Sequence, residues 1–154
     1  MRRLYSEFLG GPRAVVLLVL RVVVGSAMAL HGWQKVSSSL TAWAPPSMPI
    51  PGALQACAAI AEFGGGICWV LGALMPIASL SLIITMGVAT YTMAVKFGAP
   101  FVGGPGKPSS ESAAGYLAIA ILFLVVGPGR LSVDSLLFGR GPVAKPDPAR
   151  NLAG

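Results

Sequence analysis

AVVLLVLRVVVGSAMAL (residues 14–30) and ALQACAAIAEFGGGICWVLGAL (residues 53–74) decide the fold class of this chain. Each run has about the length of 20 mostly apolar residues that a helix needs to cross the hydrocarbon core of a bilayer. Each run also holds one ionisable residue near its middle, Arg21 in the first and Glu62 in the second. A charge at that depth is costly and persists only where it faces a partner or a water-filled cavity. The two runs therefore predict membrane helices that pack against other parts of the protein.

The composition of the whole chain indicates an all-α integral membrane protein. Of its 154 residues, 55% are hydrophobic and only 10% are charged, whereas soluble domains carry about 25% charged residues. The mean hydropathy is +0.76. Apolar windows cover about 14–36, 52–74, 76–97 and 112–127. The sequence thus predicts one four-helix transmembrane bundle over 14–138, with a basic cytoplasmic leader at 1–13 and a mobile cytoplasmic tail at 139–154.

The placement of the basic residues predicts the orientation of this bundle. Seven of them lie beyond the terminal helices: Arg2, Arg3, Arg13, Arg130, Arg140, Lys145 and Arg150. Lys35, Lys96 and Lys107 lie on the opposite side. With four spans both termini share a side, and the basic excess predicts that side to be the cytoplasm of a multi-pass cell-membrane protein. Basic residues at these positions favour anionic lipid headgroups as partners, and nucleic acid is not expected.

Helical spacing predicts which faces of the first two helices lie inside. At 100° per residue, Arg21, Gly25, Met28, Gly32 and Lys35 lie within about 40° of one line. The second helix carries a stripe of small residues at Ala53, Cys57, Ala61, Gly65, Cys68 and Gly72. Small residues let two membrane helices approach closely. The cysteines are therefore predicted to be packing residues rather than redox groups.

Arg21 and Glu62 are predicted to face each other inside the bundle. Counting 1.5 Å per residue from the ends of the predicted helices places them within about one turn in depth. Two interpretations stay open for this pair. It is either a structural ion pair that holds the first two helices in register or a polar site for a head group or a proton.

A second cluster is predicted near the outer membrane surface. His31 and Lys35 end the first helix, Lys96 ends the third, Glu111 opens the fourth, and Tyr116 lies about a turn deeper. One interpretation is an interfacial ring with a Lys96–Glu111 salt bridge. The other is a cavity for a quinone-like or anionic ligand, in which His31 passes protons and Glu111 orients it.

The segment GPGRLSVDSLLF after the fourth helix is predicted to hold a short interfacial helix that Ser132 caps. Arg130 and Asp134 are candidate contacts there for lipid or a partner on the inner face. The chain has one histidine and no cluster of zinc ligands, so neither a bis-histidine haem nor a metal site is predicted. Catalytic residues cannot be assigned from the sequence.

Three segments, taken together, resemble the DoxX family of small four-helix membrane proteins. They are HGWQKV (31–36), AEFGGGICWVLGAL (61–74) and GPGRLSVDSLLFG (127–139), and the resemblance covers about 14–139. In that family a His-Gly-x-x-Lys segment closes the first helix, and a Glu followed by glycines marks the second. A Gly-x-Gly-Arg-Leu-Ser-x-Asp segment follows the fourth. This chain departs from the family at Lys96, since many members have a histidine near the outer end of the third helix.

The resemblance implies kinship with DoxD-type subunits of thiosulfate:quinone oxidoreductases. Under this hypothesis the chain is a quinone-associated redox subunit that binds no cofactor alone, and a quinone is its candidate ligand. Electrons come from a cofactor-bearing partner subunit, and Arg21–Glu62 or His31–Glu111 handle hydrogen bonds and protons. The alternative is a non-enzymatic accessory subunit of a larger membrane complex, or a bundle that holds a lipid or small lipophile. Whether the chain is catalytic stays open.

Overall fold

The computed structural model describes residues 8–46 and 48–139, and every regular element in this part is helical. The elements are α1 (Pro12–Ser39), α2 (Gly52–Leu71), α3 (Met75–Tyr91), α4 (Glu111–Val126) and α5 (Val133–Phe138). Thr92–Lys96 continues α3 as a π-helical segment. Most of the predicted leader and tail, residues 1–7 and 140–154, lies outside the described residues.

The predicted all-α architecture is confirmed. Three helices are long and apolar enough to cross a membrane, and α4 is a shorter apolar helix. The helix bounds differ from the predicted windows mainly at two places. α1 continues to Ser39 instead of ending near residue 36, and α2 ends at Leu71 because Gly72 adopts a left-handed conformation with φ +65°. Pro76 lies in the first turn of α3, where its missing N–H removes no helical hydrogen bond.

The helices pack in chain order: α1 on α2, α2 on α3, and α3 on α4. α1 and α4 are not among the extensively packed pairs of helices. We call the end of the bundle where α1 begins and α4 ends the terminal end. The opposite end, which carries residues 40–51 and 97–110, is the loop end.

Glycines bring the backbones of α1 and α2 into direct contact. A Cβ added to Gly32 would lie 2.1 Å from the Phe63 nitrogen, and one added to Gly66 would lie 2.4 Å from the Ala29 nitrogen. The predicted inner line of α1 is confirmed, since Arg21, Gly25, Met28 and Gly32 are all buried. Close packing of small residues is how membrane helices associate without a hydrophobic driving force between them.

The predicted small-residue stripe of α2 is only partly right. Gly65 and Gly72 are buried, but Ala53 and Cys57 are exposed, so Cys57 is not a packing residue. The buried face is rotated and includes three larger side chains, those of Gln55, Glu62 and Trp69, together with Ala59, Gly65 and Gly66. The reason is that α2 has to fill the bundle centre as well as approach α1.

Trp69 is the largest side chain of that centre. Its indole Nε1 donates to the Ser79 hydroxyl at 3.1 Å, and its ring meets Phe123 edge to face with centroids 4.9 Å apart. These contacts tie α2 to both α3 and α4, and satisfy the buried indole N–H. The outer surface of the bundle is apolar, as a lipid-facing surface must be; Val23, Ile84 and Val125 are among its exposed side chains.

Candidate functional site

Arg21 is fully buried toward the terminal end, and its guanidinium holds the segment that follows α4. Nη1 donates to the carbonyl oxygen of Pro128, and Nη2 donates to that of Leu131 at 2.8 Å. The carboxylate of Asp134 also acts on Arg21 electrostatically. The Nε atom has no hydrogen-bond partner within the described part of the chain. Arg21 therefore links α1 to residues 128–134.

Glu62 is buried on α2 and pairs with Lys35 of α1. The Lys35 Nζ lies 2.5 Å from the Glu62 Oε1, with side-chain exposures of 26% for the lysine and 3% for the glutamate. The same Nζ lies 4.4 Å from the ring centroid of Trp43, whose Nε1 donates to the Gln55 carbonyl at 2.9 Å. This ion pair joins the two helices and the segment 40–51 at the loop end.

The predicted Arg21–Glu62 pair is therefore wrong. Gly32 lies against the backbone of Glu62 and Phe63, which places Glu62 at the level of Gly32. Gly32 is eleven residues from Arg21, or about 16 Å along the helix axis. The predicted depths failed because they were counted from helix ends that the sequence places only approximately. Lys35 could have been found as the partner, since it lies on the same predicted line of α1.

The structure also divides the predicted outer cluster. Lys35 turns toward Glu62, whereas His31 meets Tyr116 edge to face with ring centroids 5.9 Å apart. Lys96 and Glu111 are exposed, and no ion pair joins them among the described residues. The prediction that all these side chains converge on one cavity is therefore wrong for Lys35, which pairs with Glu62 instead. A ligand role for the other residues stays a prediction.

A groove of about 270 Å³ lies between α1 and α4. Its lining is Val23, Val24, Ala27, Ser112, Gly115, Tyr116 and Ile119. Ala27 and Gly115 are small residues of this lining, and Ser112 and Tyr116 are its residues that carry a hydroxyl group. Tyr116 also contacts His31, so the groove and the His31–Tyr116 pair adjoin each other. The groove is shallow and open along the outer surface of the bundle, and its lining is almost entirely apolar.

The sequence did not reveal this groove, because its existence depends on which helices fail to close on each other. Among the predicted outer residues, only Tyr116 belongs to the lining. Gly115 and Ala27 were the sequence signals that could have indicated the groove, since small residues on two facing helices leave space between them. Helical spacing alone does not show that α1 and α4 face each other.

Asp134 is buried in the first turn of α5 and caps another helix. Its Oδ1 accepts from the Leu74 N–H at 2.9 Å and its Oδ2 accepts from the Met75 N–H at 3.0 Å. The predicted contact with lipid or a partner is wrong for this carboxylate, because it is buried and faces the start of α3. Arg130 is exposed, and its predicted contact stays a prediction. Ser132 caps α5 as predicted, accepting from the Ser135 N–H at 3.1 Å.

Potential metal ligands do not gather in this bundle: residues 8–46 and 48–139 contain no group of three or more His, Cys, Asp or Glu side chains placed to hold an ion. The charged side chains buried inside the bundle instead contact backbone groups or each other, as described above. Together with the long apolar helices, these features define the class of the protein, a small helical membrane bundle with internal polar contacts.

Comparison with known proteins then gives the family. The DoxX family model matches residues 16–95, just over half of the chain, and the chain belongs to this family. The match covers nearly all of α1–α3 and ends before α4, so the segment 127–139 lies beyond it. No curated protein and no solved structure matches the chain significantly.

Proposed function

We propose that this DoxX protein binds a quinone-like lipophile in the groove between α1 and α4 and works as the membrane subunit of a redox complex. The observation that carries the proposal is the apolar groove bordered by the His31–Tyr116 pair. A quinone has a flat ring with two carbonyl oxygens and an apolar tail. The groove offers apolar walls to the tail, and the Tyr116 hydroxyl and His31 imidazole are hydrogen-bond donors for a ring carbonyl.

The redox step needs groups beyond this chain. Reduction of a quinone to a quinol consumes two electrons and two protons. We assign the electrons to a partner subunit that carries a cofactor, as the family resemblance implies. We assign proton transfer to His31, because histidine exchanges protons most readily near neutral pH. Glu111 opens the same helix as Tyr116 and remains the candidate for orienting His31.

Filling the groove tests the proposal with a matched control. Gly115 lines the groove, and a Cβ added there meets nothing within 4 Å, so Gly115→Leu should fold and occupy the space. Gly87 on α3 is equally open but lies away from the groove, so Gly87→Leu is the control. Photo-crosslinking with an azido-benzoquinone should label α1 and α4 in the wild type and in Gly87→Leu. Labelling that persists in Gly115→Leu would refute the site.

A second pair of variants tests the polar edge of the groove. Tyr116→Phe keeps the ring that meets His31 but removes the hydroxyl, and a lost hydrogen bond is worth about 0.5–1.5 kcal/mol. We expect quinone affinity to fall by about 2- to 10-fold. Ser112→Ala, in the same lining, should change it less, because the proposal assigns the quinone ring carbonyl to the Tyr116 hydroxyl and not to Ser112. Equal affinities for wild type and Tyr116→Phe would remove Tyr116 from the proposal.

We further propose that both termini lie in the cytoplasm and that the membrane is the cell membrane. The excess of basic residues beyond α1 and α4 supports this orientation. The loop end, with the His31–Tyr116 pair, would then face the outer leaflet. Lipids are direct partners of the apolar surface, and a cofactor-bearing subunit is the proposed protein partner.

A second candidate function is a non-enzymatic accessory subunit or a lipid-holding bundle. The observation that favours it is that the buried charges serve structural contacts: Lys35 with Glu62, Arg21 with backbone carbonyls, and Asp134 with the start of α3. Extraction in native lipid followed by mass spectrometry separates the two functions. Bound quinone or a co-purified redox subunit supports the first, whereas bound phospholipid without a redox partner supports the second.

A further inference from the structure

We infer that residues 127–138 form a lipid-embedded floor of the bundle, held inside the leaflet at the terminal end by Arg21. The segment would then contact acyl chains instead of crossing water as a linker between α4 and the tail. This inference concerns the opposite end of the bundle from the proposed ligand groove and does not depend on it. Four observations carry it.

The first observation is that α4 is too short to span a bilayer alone. It has 16 residues and α1 has 28, which correspond to about 24 Å and 42 Å at 1.5 Å per residue. The hydrocarbon core is about 30 Å thick. Part of the leaflet beside the first turns of α1 is therefore left for the chain that follows α4.

The second observation is the depth of this segment beside α1. The apolar run of α1 starts at Ala14, directly after Arg13. A Cβ added to Gly129 would lie 3.0 Å from the Leu17 Cδ2 and 3.6 Å from the Leu9 carbonyl oxygen, and the Arg130 N–H donates to that oxygen at 2.9 Å. Leu17 is three residues inside the apolar run, and its side chain leans toward the start of the helix. The turn after α4 therefore packs at the boundary where the apolar run of α1 begins.

The third observation is that four consecutive backbone carbonyls, those of residues 128–131, each accept a hydrogen bond from a side chain. Arg21 donates to the first and the last of them. The Ser132 hydroxyl donates to the second at 2.6 Å, and the Ser135 hydroxyl donates to the third. Water would satisfy these carbonyls in an aqueous linker. Irregular backbone at membrane depth, in contrast, requires protein donors.

The fourth observation is the apolar outer face of the segment. Leu136 is 83% exposed and Leu137 is 66% exposed, while Asp134 on the same helix is buried. Leu131 is also exposed, and Val16 on the nearby part of α1 is 69% exposed. These side chains extend the lipid-facing surface of α1 toward the terminal end. Acyl chains are the partner that fits this surface, because exposing these leucine side chains to water would cost free energy.

Spin labels test the location of the segment in the membrane-embedded protein. Cys57→Ala and Cys68→Ala provide the background, and a nitroxide is attached at Leu136→Cys or Leu137→Cys in vesicles of phosphatidylcholine and phosphatidylglycerol. Val16→Cys is the lipid control, and Lys107→Cys, at an exposed residue of the loop end, is the water control. Collisions with oxygen report acyl chains, and collisions with a nickel chelate report water. We expect Leu136 and Leu137 to match Val16. A match to Lys107 would overturn the inference.

Arg21→Lys tests whether Arg21 positions the floor. Lysine keeps the charge but cannot hold two carbonyls in the fork that Arg21 uses. We expect the label at Leu136 to become at least twofold more accessible to the nickel chelate, while helix content stays unchanged. Unchanged accessibility would overturn the role of Arg21. The spin-label comparison in the protein that keeps Arg21 remains valid whether or not Arg21→Lys folds. Neither experiment requires a bound quinone, so both are independent of the proposed function.

Discussion

At the scale of single residues, Gly32 and Gly66 set the distance between α1 and α2. At both positions an added Cβ would overlap backbone atoms of the facing helix, which cannot move as a flexible side-chain end could. Gly64 on the same helix as Gly66 has no atom within 4 Å of an added Cβ. The glycines of the Gly64–Gly66 run therefore differ in what they do, although the sequence shows them as one motif.

Gly32→Ala should separate α1 from α2 and lower stability. Overpacking costs about 1–3 kcal/mol in a well-packed core, and here the overlap is with backbone. Gly64→Ala is the matched control and should be neutral or slightly stabilising, since alanine is the better helix former. Thermal unfolding in detergent checks the pair. A melting temperature for Gly32→Ala equal to that of Gly64→Ala would contradict the close approach.

Glu62→Gln should weaken the link between α1 and α2 at the loop end. Removing one partner of a fully buried ion pair costs about 3–5 kcal/mol. We expect a smaller loss of about 1–3 kcal/mol, because the Lys35 side chain is partly exposed and keeps some contact with water. A double-mutant cycle with Lys35→Met measures the coupling through the free energies of unfolding. The exposed Cys57→Ala serves as the control, and additive effects of Glu62→Gln and Lys35→Met would contradict the pairing.

The start of α3 shows how one helix depends on another element. Leu74 precedes α3 with φ +50°, a left-handed conformation that is unusual for leucine, and offers no side-chain cap. Asp134 supplies the missing acceptors from α5, and its own N–H donates to the Gly72 carbonyl at 3.0 Å. α5 therefore fixes the turn between α2 and α3 as well as capping α3, where a carboxylate also favours the helix dipole.

Asp134→Ala should destabilise the first turn of α3. Loss of a helix cap costs about 0.5–2 kcal/mol, and hydrogen exchange at the Leu74 and Met75 amides should become faster. Leu136→Ala alters an exposed residue of the same short helix and should leave both amides protected. Unchanged exchange in Asp134→Ala would show that water or another group caps α3 equally well.

At the scale of the whole molecule, the described helices leave a groove between α1 and α4, and the two ends of the bundle differ. The helices pack extensively in chain order, and α1 and α4 do not close tightly on each other beside the groove. The proposed ligand site is a property of this arrangement. The proposed floor of residues 127–138 closes the terminal end, where Arg21 and Asp134 bind backbone groups.

Both termini are expected in the cytoplasm, since seven basic residues lie beyond the terminal helices against three on the other side. Reporter fusions at Gly154 and within residues 98–110 test the orientation. A fluorescent protein that matures only in the cytoplasm should fluoresce when fused after Gly154. A phosphatase that is active only after export should be active when inserted within residues 98–110. Phosphatase activity at Gly154 would reverse the orientation and place the groove edge at the inner leaflet.

Most of the fold was predictable because membrane helices follow from local composition. Long apolar runs predict the three long helices, and the 3.6-residue period correctly predicted the inner line of α1 through Gly25 and Gly32. The Ser132 cap was also predictable, since a capping side chain acts on its own next turn. Of the candidate site, the sequence indicated Tyr116 and His31 but not that their rings meet.

The sequence by itself determined the membrane class, the family and the burial of charge at Arg21 and Glu62, because apolar length and the cost of a buried charge are local properties. Only the tertiary structure decided the partners of these charges. Glu62 pairs with Lys35 because the contact of Gly32 with Phe63 sets the register of α1 and α2. Arg21 instead donates to the carbonyls of Pro128 and Leu131, because the chain after α4 turns back toward α1. Register and the groove between α1 and α4 depend on contacts between segments distant in the chain, which helical periodicity does not encode.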